Sequence, residues 1–115
     1  MDKKLNYDKY ILKIKTLEKQ KNEMLEEKRL TVLENTKKTI KENFKNVDFN
    51  IFITGSLIEC FQFNKYSDID IAVENFKGIR FELLSKLSNI LEREVDLILL
   101  EQCDFKNNLK KIKVI

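Results

Sequence analysis

"FITGSLIECFQFNKYSDIDIAVENF", residues 52–76, decides how the rest of this chain is read. A β-branched, apolar run ends at Gly55-Ser56, and eleven residues later a second such run carries Asp68 and Asp70 at alternate positions. Alternate residues of a strand share a face. Ile69, Ile71 and Val73 are therefore expected on one side, with Asp68, Asp70 and Ala72 on the other. Two carboxylates whose Cα atoms lie about 6–7 Å apart repel, so a cation, a raised pKa or solvent must offset the charge.

Outward from that stretch the elements alternate. "VDFNIFIT", 47–54, reads as a strand, rich in β-branched and aromatic residues. "SLIECFQF" reads as a short helix with Ser56 at its N-terminus, "NKY" as a turn, and "SDIDIAVE", 67–74, as the second strand. Gly78 falls in a loop before the helix "FELLSKLSNILERE", whose Phe81, Leu84, Leu87 and Leu91 supply an apolar face. "VDLILLE", 95–101, is a third strand, and "CDFKNNLKKIKVI" a short helix with a terminal strand.

Toward the N-terminus nothing breaks a helix before about residue 46, since proline is absent and Gly55 and Gly78 are the only glycines. Tyr7, Tyr10, Ile11, Ile14 and Leu17 keep helical spacing, and Leu30, Leu33, Ile40 and Phe44 resume it with Thr36 between. The spacing predicts one long helix, or two joined near residues 19–23. The second part packs on the domain. The first either projects to bury its stripe against another chain or folds back on its own core. The organisation expected is a helical extension over 1–24 and a domain over 25–115. The fold class is α+β, a small mixed sheet flanked by helices with a long N-terminal helix.

Composition sets limits. A chain of 115 residues has room for one hydrophobic core, and its 36% charged residues are a high share. No apolar run approaches the roughly 18 residues of a membrane span, and "MDKKLNYDKY" contains no apolar signal region, so a cytoplasmic address is expected. With no histidine and only two cysteines, too few ligands exist for a zinc site. Cys60 and Cys103 are expected to be reduced and partly buried. Residues 1–47 hold 13 Lys/Arg against 8 Asp/Glu, and residues 48–115 hold 9 against 11. A basic helix can meet nucleic acid, but no aromatic ladder or arginine cluster accompanies it, and a solvated Lys-rich helix is the favoured reading.

The carboxylates point to metal chemistry. Mg²⁺ takes hard oxygens and is held by one or two carboxylates plus substrate phosphates. Asp96, flanked by Val95 and Leu97 in the third strand, completes a three-carboxylate cluster if that strand neighbours the second. Two metal ions about 3.5–4 Å apart could then clamp the attacking and leaving oxygens of a phosphoryl displacement. Gly55 lets the backbone approach a ligand closely, and a helix starting at Ser56 would turn free N–H groups toward a phosphate.

At "ITGS", "SDIDIAV" and "VDLILL" the sequence resembles the polymerase-β-like nucleotidyltransferase superfamily, in particular its minimal nucleotidyltransferase branch. The resemblance covers about residues 28–115. It implies a mixed sheet flanked by helices, and Mg²⁺-dependent transfer of a nucleoside monophosphate, probably AMP from ATP, to a hydroxyl. By that resemblance Gly55 and Ser56 would hold the triphosphate, Asp68 and Asp70 would bind both metals, and Asp96 would bind one metal and help take the acceptor's proton. Many small members of this branch look like antitoxins paired with a HEPN-type RNase, which some silence by adding AMP to a tyrosine. The sequence departs from the family just after Gly-Ser. A small residue, a base and a glycine are usual there, whereas "LIEC" puts Glu59 at the basic position and Cys60 at the glycine. On a short helix Glu59 can point away, with Lys65 nearby supplying positive charge to the nucleotide.

Two functions are therefore expected to compete. One is an Mg²⁺- and NTP-dependent transferase acting on a protein partner. The other is a catalytically weak or inactive module of the same fold that docks a partner through its N-terminal helix. Neither involves a membrane, and both leave a homo-oligomer open.

Overall fold

The computed structural model describes residues 2–60, 62–64, 66–104 and 108–115, with side chains placed from Tyr7 onward. Asp2–Asn43 forms one unbroken helix, α1, of 42 residues, with no joint at residues 19–23. The chain leaves it through Asn46, whose φ of 64° is a left-handed conformation that Asn tolerates better than most residues. Arg29, Leu33, Thr36, Ile40 and Phe44 succeed one another by three or four positions, and all are buried. Leu30, expected in that stripe, falls off the line and is exposed, while the charged Arg29 takes a buried place. The first half of α1 projects: Tyr7, Tyr10, Ile14 and Leu17 are exposed, and the molecule is 71 Å long.

Among the described residues four strands follow: β1 (Asn50–Thr54), β2 (Ile69–Glu74), β3 (Val95–Leu99) and β4 (Lys111–Lys113). Their order in the sheet is β3-β2-β1-β4. β1 runs antiparallel to β2 and β4, and β2 runs parallel to β3. A parallel pair needs a crossover connection, which α2 (Arg80–Leu91) provides. The second half of α1 and α2 share one core with one face of the sheet, to which Ile51, Ile53, Ile69, Ile71, Val73 and Leu97 contribute. The opposite face of the sheet carries Thr54, Asp70 and Asp96 in register across β1, β2 and β3. Among the described residues no helix is long and apolar enough to cross a membrane.

Three expectations need correction. Residues after Gly55 form a single 3-10 turn, Gly55–Ile58, rather than a helix, because Glu59 is already extended at φ −112° and ψ 131°. Phe81 does not belong to the buried face of α2. Leu83 and Leu87 do, and Phe81 stands two residues from Leu83, about 200° round the helix. Cys60 is exposed, following the 3-10 turn at the surface, while Cys103 is partly buried and both are free thiols. Near the C-terminus Leu100–Gln102 makes a short 3-10 turn and β4 supplies the terminal strand. Residues 105–107, within the expected helix, lie outside the described residues.

Candidate active site

The site is built where β1 ends. Thr54 pairs with Asp70, and Asp70 pairs with Asp96 on the parallel neighbour. Adjacent strands lie about 4.8 Å apart, so residues in register on one face bring their side chains side by side. Gly55 follows with φ 73°, a conformation L side chains rarely adopt, and a Cβ built there would overlap the Asp70 carboxylate. Glycine is thus required twice, for the turn and for the close approach of Asp70.

These residues open onto a cleft of about 420 Å³ lined by Gly55, Glu59, Asp70, Asp96, Ile98 and the segment 108–110. The Asp70 carboxyl is raised above its ordinary value, first by burial and then by the charges of Asp96 and Asp68. Asp70 therefore senses both neighbours, although Asp68 precedes β2, is exposed, and is not among the residues lining the cleft. Ser56 is also absent from the lining, and Lys65 lies outside the described residues. Glu59 is exposed, and on the extended backbone after the 3-10 turn it lines the same cleft as Asp70 and Asp96.

Several supporting residues carried no sequence signal. Lys110 lines the cleft, and its carbonyl accepts a hydrogen bond of 2.6 Å from the buried Thr54 hydroxyl. Lys110 lies 56 positions from Thr54, so only the pairing of β4 on β1 reveals it. Arg29 pairs with Glu26 and donates to the Leu57 carbonyl at 2.8 Å, fastening α1 to the 3-10 turn after Gly55. Arg93 donates to the carbonyls of Ser67 and Asn64 at 2.9 and 2.8 Å and lies over the Phe63 ring, fixing the turn that leads into Asp68.

The donor set suits a hard divalent cation. Asp70 and Asp96 offer two carboxylates at one register position, which is what Mg²⁺ commonly takes from a protein when phosphates supply further oxygens. Among the described residues no three His, Cys, Asp or Glu side chains stand close enough, as placed, to hold a metal ion together. A second ion would require the exposed Asp68 to turn inward.

The sheet order, the helices on one face and the carboxylates at the end of β1 and β2 give a small α+β domain of nucleotidyltransferase-like fold. No family model and no curated protein matches the chain. Among solved structures it is similar to the crystal structure of a toxin-antitoxin with AMP-PNP. The two are 26% identical, with a TM-score of 0.51, over 70% of this chain and 72% of that one.

Proposed function

We propose that this chain is the antitoxin-type member of a toxin-antitoxin pair and an Mg²⁺-dependent nucleotidyltransferase. It moves a nucleoside monophosphate, AMP from ATP, to a hydroxyl of its protein partner. The observation that carries this reading is the in-register Asp70–Asp96 pair beside Gly55, where Asp70 is held above its ordinary pKa. Like charges so placed are costly unless a cation answers them. Similarity to a toxin-antitoxin structure containing AMP-PNP supports both the nucleotide and the protein partner. A HEPN-type RNase as that partner follows from the sequence resemblance.

In this reading Asp70 and Asp96 would hold Mg²⁺, joined by Asp68 once it turns inward, and the ion would supply charge neutralisation for the leaving pyrophosphate. Asp96, the more exposed of the pair, accepts the proton of the acceptor hydroxyl. Gly55 and Ser56 offer backbone to the phosphates, and Lys110 supplies positive charge that the chain lacks at position 59. Incubation of the co-purified partner with labelled ATP and Mg²⁺ should label the partner, and Asp70→Asn should abolish labelling. Failure to incorporate any of the four nucleotides would overturn it.

Glu59 in the cleft favours a second reading, a weakly active or inactive module that neutralises its partner by binding. A carboxylate 5–6 Å from a triphosphate oxygen costs about 3 kcal/mol at an effective dielectric near 20, before screening. In that case Asp70→Asn would leave neutralisation of the partner intact.

A further inference from the structure

The projecting half of α1 carries a surface that nucleotidyl transfer does not use. Tyr7, Tyr10, Ile14, Leu17, Lys21 and Met24 alternate spacings of three and four, the a and d positions of a heptad. Tyr7 is 63% exposed, Leu17 55% and Met24 59%. The row lies about 100° round the helix from the face that packs on the sheet, so docking of α1 on its own domain leaves it uncovered. Its continuation, Lys28 and Thr31, is polar and exposed and, with Lys21, lines a groove shared with Phe63 and Arg93, so the apolar seam ends where the domain begins.

We infer that a second copy of this chain covers the seam, forming a parallel two-stranded coiled coil over residues 7–24. Charge complementarity selects this occupant. Lys13 falls at a g position and Glu18 at the e position five residues on. In a parallel pair those two positions face each other across the seam, so the dimer forms Lys13–Glu18 pairs twice by symmetry. An antiparallel pair brings Glu18 opposite Ile11 and Lys13 opposite Gln20, with no such match. A single Lys at an a position, here Lys21, is a known device for restricting such coils to two strands in one register, at a cost in stability. The seam is about 26 Å long, so the association is reversible and concentration-dependent.

Sedimentation velocity on the full chain alone tests this. The wild type should pass from monomer to dimer as concentration rises. Ile14→Lys with Leu17→Lys, both at exposed positions, should leave a folded monomer throughout, with unchanged helix content by circular dichroism. Lys13→Glu should weaken the dimer roughly ten-fold, since each pair changes from attraction to repulsion. Adding Glu18→Lys to that variant should restore it. A wild type that stays monomeric at all concentrations overturns the inference, as does a dimer that survives the double Lys substitution. A dimer lost with the seam but indifferent to the charge exchange overturns the parallel register.

Discussion

The two faces of the sheet follow opposite rules although the same strands build both. On the helix-covered face Ile51, Ile53, Ile69, Ile71 and Val73 are buried against α1 and α2. On the other, Thr54, Asp70 and Asp96 meet around an open cleft with Glu59 and Lys110 at its rim. Ile71 and Asp70 are chain neighbours, so a period of two separates cohesion from charge repulsion within one residue. The first face holds the domain together. The second spends part of that stability to keep carboxylates where a cation can answer them.

Removing a core side chain and removing the Asp70 charge should therefore act with opposite sign. Ile71→Ala removes a fully buried side chain and should cost about 2–5 kcal/mol in chemical denaturation. A cost near zero would mean that the helices do not cover that face. Gly55→Ala sets a Cβ against Asp70 in a left-handed turn and should cost about 1–3 kcal/mol, with loss of nucleotide transfer. Retained stability together with retained activity would show that Asp70 does not press on Gly55. Asp70→Asn should have the smallest effect on folding, and a favourable one: the metal-free variant should melt above the wild type at neutral pH.

The sign of that last effect follows from linkage. The folded state raises the Asp70 pKa, so it binds the proton more tightly than the unfolded chain. This contribution is fully present below the unfolded value and is lost as pH rises through the folded one. The melting difference between Asp70→Asn and wild type should accordingly widen from acidic to neutral pH and shrink when Mg²⁺ is added. A difference that stays constant with pH would separate Asp70 from the charge cluster.

Much of this division was legible in the residues. Strict alternation in "DIDIAV" separated the two faces, and the apolar run around Asp96 marked a third strand without fixing its neighbour, which the parallel β2–β3 pairing supplies. Helical spacing identified α1, but such spacing marks a face without saying what covers it. Its two halves look alike in sequence, and only the half near the sheet is covered by the chain's own core. The Gly-Ser step was read as a helix start, whereas the run after it contracts to one 3-10 turn that Arg29 ties down through Leu57. Lys110 and Arg93 act through contacts far apart in sequence, which local pattern does not encode.

The proposed function requires Asp70 and Asp96 to place a divalent cation on a nucleoside triphosphate. Titration calorimetry of ATP into the wild type, with and without Mg²⁺, and into Asp70→Asn tests it most directly. Saturable heat that requires Mg²⁺ and disappears in Asp70→Asn is the predicted result. No binding by the wild type, or equal binding by the variant, would contradict it.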